Sequence, residues 1–309
     1  MMTIWRQGGK GLESVEKARA HCWINVSQPN NYEISCLINE YGFEADMLSD
    51  ILDTDEQSRV EKDGGRIFFI VRVPVFQEDR ETPYYTLPLG VVFFDDMVMT
   101  ICLQESEVIR DMLGGKIRHF SLENRKSFLL TVLSRVAFYF LRYLKDINHR
   151  SGQTEKELQK AVRNNELIQL LTLEKSLVFF TTSLKSNEFL IDKIRKLNLL
   201  SLSEEESDLI DDVVTENRQA REMANIYSDI LSGMMDAFAS VISNNLNVVM
   251  KQLASISLIL MLPTLIASIY GMNVSLPFQH SPAAFVGTLA VSGALAVVSI
   301  IVFRRKRFF

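Results

Sequence analysis

Charge is absent from two stretches of this 309-residue chain: residues 253–270 and 283–303 contain no Asp, Glu, Lys, Arg or His. Each is about long enough to cross a hydrocarbon core as a helix. Cysteine is scarce too, with only Cys22, Cys36 and Cys102, and no Cys-x-x-Cys spacing points to zinc. Buried free thiols are expected. The opening residues "MMTIWRQGGKGLESVEKARA" lack the apolar core of a secretory signal, so the N-terminal part is expected to stay in the compartment of synthesis. Basic residues are outnumbered, 33 Lys and Arg against 38 Asp and Glu, for a net charge of -5. A protein that neutralises phosphates needs a basic face, so nucleic acid is excluded as a partner. No Ser/His/Asp set, paired-carboxylate cleft or metal-ligand cluster presents itself, and no catalytic activity is expected. The early "GGKG" lacks the spacing of a phosphate loop and reads as a flexible terminus.

What is present falls into segments. Up to about Ser121, strand runs such as "RIFFIVRVPVF" and "LGVVFFDDMVMTICL" alternate with helical pieces such as "NYEISCLINEYG" and "EADMLSDILD", and Asp95-Asp96 reads as a hairpin turn. The fold class expected is an α+β cytoplasmic domain of α/β layers over residues 1–122. Residues 123–245 read as helix: an antiparallel pair around a polar tip at Ser151–Gln153, then a long stalk. Ser203 suits an N-cap, and Glu204, Glu205 and Glu206 suit the positive end of a helix. A continuous helix from Glu204 to Tyr270 would be about 100 Å long.

The two apolar runs give spans at 246–270 and 283–303, an outer loop at 271–282 and a basic tail at 304–309. Lys251 precedes the first run, and Arg304, Arg305, Lys306 and Arg307 follow the second, whereas residues 272–282 contain neither Lys nor Arg. Both termini are therefore expected in the cytoplasm of a multi-pass plasma-membrane protein embedded in the bilayer.

Steps of three and four residues along the first run give Ser240, Ser243, Asn247, Met250, Ala254, Ser257, Met261, Thr264, Ser268 and Gly271. This stripe is small, polar or thioether, while Leu258, Leu262, Leu265, Ile266 and Ile269 on the other side are aliphatic and suit lipid. Small and hydroxyl residues also serve close helix packing, and that reading stands beside a water-lined path. A path is favoured because the stripe continues to Asn247 and ends at the neutral amide of Asn273. One helix cannot enclose a pore, so several copies must supply the lining. An asparagine ring accepts hydrogen bonds from water held by a cation without offering full charge. Magnesium sheds water reluctantly, which favours recognition of the hydrated ion.

"YGMN" at Tyr270–Asn273 resembles the Gly-Met-Asn signature of the CorA magnesium channels, placed, as in that family, after the first of two C-terminal membrane helices. "SGMMDAFASVISNNLNVVMK" is similar to the family's stalk-to-pore segment and "RRKR" to its basic tail. The resemblance implies a funnel-shaped homopentamer. Gly271, Met272 and Asn273 would form the selectivity filter. Thr264, Met261, Leu253, Met250 and Asn247 would lie along the pore with Ser257 and Ser268 of the stripe, and Asp236 at its cytoplasmic end. Met250, Leu253 and Met261 resemble the family's hydrophobic gate. Magnesium is then both the transported ion, moving passively inward with cobalt and nickel as further divalent cations, and a regulatory ion between subunits. Candidate regulatory carboxylates implied by the resemblance are Asp208, Asp211, Asp212 and Asp229, although acidic residues near a helix start are most simply a solvated face.

Two features depart from the family. Met261-Leu-Pro-Thr264 shifts the usual proline by one residue, and the outer loop "VSLPFQHSPAAF" has no carboxylate. His280 in that loop raises softer metals, since imidazole binds zinc, cobalt or nickel. The rival readings are a zinc-transporting relative with the same architecture and a membrane-anchored coiled-coil scaffold that transports nothing.

Overall fold

A computed structural model of the chain describes every residue except 10, 116–120, 161–163, 197–199, 201, 275–280 and 307–309. The chain divides into two units, Met1–Met235 and Asp236–Phe309.

The first unit is built on a seven-stranded sheet of β1 (Met2–Gly8), β2 (Gly11–Val15), β3 (Cys22–Ser27), β4 (Arg59–Asp63), β5 (Arg66–Phe76), β6 (Tyr84–Phe94) and β7 (Met97–Cys102), in the order β2-β1-β3-β7-β6-β5-β4. Only β3 and β7 pair in parallel. Helices α1 (Asn31–Asn39), α2 (Ala45–Leu52) and α3 (Glu107–Leu113) lie between strands or follow them, and α4 (Arg125–Lys160) and α5 (Asn164–Lys196) come after. Alternate residues of one strand serve opposite faces. Ile24 and Val26 join Leu37 of α1 and Leu48 and Ile51 of α2 in one cluster, whereas Trp23 meets Phe128 of α4 edge-on, ring centres 5.0 Å apart. With helices on both faces, all eleven residues of β6 are buried, which explains its nearly continuous apolar run. Gly90 in that strand is needed for space, because a Cβ there would lie 2.9 Å from the Ile51 side chain.

The expected hairpin at Asp95-Asp96 forms, joining β6 to β7, with Asp95 at φ 45°, a conformation Asp tolerates better than most residues. Two expectations are corrected. The "GGKG" stretch is not a loose terminus: Gly8 pairs opposite Gly11 in the β1–β2 hairpin, with Gly11 at φ 131°. The polar tip at Ser151–Gln153 is helical, and α4 runs on to Lys160. Ser151 and Thr154 donate their hydroxyls to carbonyls of their own helix and are buried, as is Leu158, so packing outweighs the roughly 1 kcal/mol cost of Gly152 in a helix. The pair is antiparallel: Phe140 stacks edge-on with Phe180 at 5.0 Å and Thr154 reaches Gln169.

Asn187 of α5 fastens this pair to the sheet. β4 ends its pairing with β5 where Arg59 faces Ile70. Two residues on, the Asn187 amide accepts from the Arg72 N–H at 2.9 Å and donates to the Arg72 carbonyl at 2.8 Å. A side chain thus supplies both bonds of an absent strand. All three cysteines are free. Cys22 and Cys102 are buried as expected, with burial pushing the Cys102 thiol up to about 11, but Cys36 is only partly covered.

Helix α6 (Glu204–Tyr270) contributes its first part to this unit. Ser203 caps it reciprocally, since its Oγ accepts from the Glu206 N–H and the Glu206 carboxylate accepts from the Ser203 N–H. Buried Ile210, Val213, Asn217, Ala220 and Ala224 recur at three and four residues, and Asn217 donates to the Leu184 carbonyl of α5 at 3.0 Å. The second unit holds the rest of α6 and α7 (Ala284–Arg305).

Candidate ion pathway and regulatory carboxylates

In the second unit each helix has one shielded stripe. On α6, beyond the buried Phe238 near the start of the unit, it comprises Ser255, Ile259, Leu262, Pro263 and Ile266, and on α7 Ala284, Thr288, Ser292, Ala296, Ser299 and Phe303. The unit contains no other helix or strand among the described residues, so the two stripes form a seam between α6 and α7. Small residues dominate the α7 side.

The stripe singled out from sequence is elsewhere. Ser257 is two residues from Ser255, about 200° around the helix. Ser255 is 1% exposed, whereas Leu253 is 58% and Met261 62% exposed. Asp236, Asn247, Met250, Ala254, Ser257, Thr264, Ser268, Gly271, Met272 and Asn273 are exposed as well. Packing within the chain therefore uses the opposite face, and the polar stripe is unpartnered in a single copy. The aliphatic side is corrected in part: Leu262 and Ile266 belong to the seam, while Leu258, Leu265 and Ile269 stay exposed. Two faces were expected and three are present.

Hydroxyls on the stripe already donate to the helix. Ser257 Oγ gives its hydrogen to the Leu253 carbonyl at 2.9 Å and Thr264 Oγ1 to the Leu260 carbonyl at 2.8 Å. Their oxygens keep lone pairs turned outward, so the stripe offers acceptors, suited to water around a cation. Pro263 sits inside the helix and deprives the Ile259 carbonyl of its usual partner. The helix ends where the Gly271 N–H bonds to the Ala267 carbonyl at 2.9 Å. A Cβ on Gly271 would meet nothing closer than 3.4 Å, and its φ is not in the left-handed region, so neither space nor strain within one chain calls for glycine there. The Asn273 amide has no hydrogen-bond partner among the described residues. His280 and Arg307 lie outside the described residues.

The carboxylates of α6 do not gather. Among the described residues no three His, Cys, Asp or Glu side chains are placed to hold a metal ion. Asp208, Asp212 and Asp229 are exposed, and Asp211 pairs with Arg195 of α5 at 3.0 Å. Glu206 is committed to its cap and accepts from Asn124 Nδ2 at 2.7 Å. Burial raises its pKa, but the bonds from Ser203 and Asn124 outweigh burial and hold the carboxyl below its ordinary range. Glu216 differs: burial and then Asp212 push it up, Arg135 offsets only part, and its Oε2 is buried without a hydrogen-bond partner. Periodicity could place Glu216 on the helix, but not beside Arg135 of α4.

The model of the family described as CorA-like Mg2+ transporter protein matches residues 18–305. The chain belongs to the CorA family. Among its relatives, the cobalt/magnesium transport protein CorA of Methanocaldococcus jannaschii is 26% identical over 289 residues, 92% of this chain and 90% of that one. The CorA protein of the same description from Thermotoga maritima is 26% identical over 301 residues, 93% of this chain and 83% of the other. The complete structure of the CorA magnesium transporter from M. jannaschii superimposes with a TM-score of 0.83, at 24% identity and covering 99% of this chain and 98% of that one. The CorA fold, with its soluble α/β domain and long helices, is therefore the fold of this chain.

Proposed function

We propose that this protein is a magnesium channel whose path is lined by the exposed polar stripe of α6, several copies surrounding one axis. The observation that carries the reading is the division of α6 into a shielded seam on the side of α7 and an opposite, polar face that nothing among the described residues covers. Family membership supports the ion class, and the relatives' description as cobalt/magnesium transport proteins supports magnesium with cobalt, and nickel by similar chemistry.

In this reading 246–270 and 283–303 are the two spans, 271–282 is the outer loop, and residues 1–122, 123–245 and 304–309 are cytoplasmic, in a homopentamer. Gly271, Met272 and Asn273 form the filter, where amide carbonyls accept from the ion's water. Several weak acceptors in a ring bind without trapping. Met250, Leu253 and Met261 narrow the path with apolar groups that resist wetting, and flow follows the electrochemical gradient.

Control by cytosolic magnesium belongs to the same proposal. The four stalk aspartates make no metal site within one chain, so a regulatory ion would need carboxylates of adjacent copies. Asp208, Asp212 and Asp229 are available for that role, and Asp211 is the weakest candidate because Arg195 already neutralises it.

Full-length protein in liposomes loaded with a magnesium-sensitive dye tests the assignment. Magnesium entry down its gradient is the expected result. Zinc entry without magnesium entry would establish the zinc-transporting alternative, and no flux of either ion would leave a scaffold.

A further inference from the structure

The second unit has a marked charge imbalance: Asp236 is its one acidic residue, against Lys251, Arg304, Arg305, Lys306 and Arg307. Lys251 lies on α6, 19 residues before Tyr270, and Arg304 on α7, 20 residues after Ala284. At 1.5 Å per residue both stand about 30 Å from the end where the helices are joined, roughly one hydrocarbon thickness. The seam agrees, since its last shielded residues at that end are Ser255 and Phe303. Two helices thus bring basic side chains to one depth. Lys251, Arg304, Arg305 and Lys306 are exposed and have no ion-pair partner among the described residues. Asp236 is 15 residues from Lys251, about 22 Å along the helix, which is well beyond a Debye length at physiological salt. Beside these bases Val249, Ile301 and Val302 are exposed apolar groups.

We propose that Lys251 of α6 and Arg304, Arg305 and Lys306 of α7 form a binding site for the phosphate of an anionic lipid headgroup at the cytoplasmic edge of the bilayer. The chemistry is that of a phosphate among cations, and the neighbouring apolar groups commit it to a lipid, whose acyl chains would cover them. A headgroup held between Lys251 and the arginines ties the cytoplasmic end of the pore helix to α7. Lys251 is adjacent to Met250 and two residues from Leu253, so the tie acts where the narrowing is proposed. The inference rests on the two-span reading, not on which ion is carried.

The test uses full-length protein reconstituted with spin-labelled phosphatidylglycerol or phosphatidylcholine, measuring the motionally restricted fraction of each. Phosphatidylglycerol should be preferred about tenfold, given the strength of such attractions, and the preference should weaken as salt is raised. The variant Lys251→Gln/Arg304→Gln/Arg305→Gln/Lys306→Gln should bring the ratio near one, while Lys251→Arg/Arg304→Lys/Arg305→Lys should keep it. Equal association of both lipids with the wild type, or an unchanged preference in the glutamine variant, would overturn the site. If the glutamine variant fails to assemble, the salt series on the wild type decides, and a preference indifferent to salt overturns it. Loss of the preference on adding inorganic phosphate would assign the site to a soluble anion and overturn the lipid. Absence of a restricted fraction with both lipids would instead defeat the two-span reading.

Discussion

Helices α4 and α7 are both long and apolar enough to cross a membrane, yet they meet opposite surroundings. The most apolar window of α4 has a mean hydropathy of 1.3 and is 61% buried within the chain, whereas that of α7 reaches 2.4 and is 0% buried. Helix α5 resembles α4, and α6 resembles α7, its window being 6% buried. By length and composition alone there are four candidate spans among the described residues. What separates them is where the apolar surface goes. In α4 it meets the sheet and α5 through Phe128, Phe140 and Leu144, all buried. In α7 only a small-residue seam is covered, and Val286, Leu289, Val297 and Ile301 face outward. Hydropathy measures how badly a surface wants to leave water, not whether protein or lipid receives it. Polar groups divide the same way: Asn187 and Asn217 are buried and bonded in the first unit, while Asn247 and Asn273 are exposed in the second.

The contrast can be broken at several strengths. The largest effect is expected in the first unit, where Phe140→Ala removes a ring packed on Phe180 and should cost about 3–5 kcal/mol. Chemical denaturation would show it as a lower midpoint, and a change under 1 kcal/mol would mean that α4 is not core. In the second unit no comparable cost is expected from a change on the stripe. Asn273→Ala should leave stability and assembly alone and cut magnesium flux by about a hundredfold, as loss of several hydrogen bonds of about 1 kcal/mol each allows. Normal flux from the assembled variant would remove the filter assignment. Leu253→Ser should raise basal flux several-fold by wetting the narrowing, roughly a 1 kcal/mol shift in the closed-state preference. Unchanged conductance would put the gate elsewhere.

The smallest effect concerns Glu216. Its folded-state pKa is raised, by burial first and then by Asp212, so its contribution is favourable below the unfolded pKa and is lost as pH rises through the folded value. Glu216→Gln should therefore raise the Tm slightly at pH 8 and leave it unchanged at pH 4. Glu206, with its pKa lowered, has the opposite sign. It stabilises above the unfolded value and ceases to do so as pH falls through the folded one, so Glu206→Gln should lose Tm at pH 8. If both variants moved together, the assignment of these environments would be wrong.

Much of this was legible in the sequence because the relevant signals are local. The strand runs, the Asp95-Asp96 turn, the Ser203 cap and the polar stripe each depend on spacing within one element. The failures involve contacts between elements. "GGKG" looked loose because β2, the strand that sets Gly11 opposite Gly8, is short and largely polar and carries little strand signal. The tip at Ser151–Gln153 looked like a turn because what continues the helix is not local: Leu158 beyond it is buried and Thr154 reaches Gln169 of α5. The seam could not be told from the lipid face, since Leu262 and Leu265 are chemically alike and only α7 distinguishes them. The candidate regulatory aspartates were grouped by composition, and Arg195, which pairs with Asp211, comes from another helix.

The central claim, that the uncovered face of α6 lines the path while the opposite face does not, is tested most directly by two hydroxyls two residues apart. Ser257→Cys and Ser255→Cys, each in a Cys36→Ser background, would be exposed to a charged methanethiosulfonate during magnesium flux in liposomes. Modification should block flux through the Ser257→Cys protein and spare the Ser255→Cys protein. Block at position 255 with none at 257, or equal insensitivity of two proteins shown by mass to be labelled alike, would contradict the account.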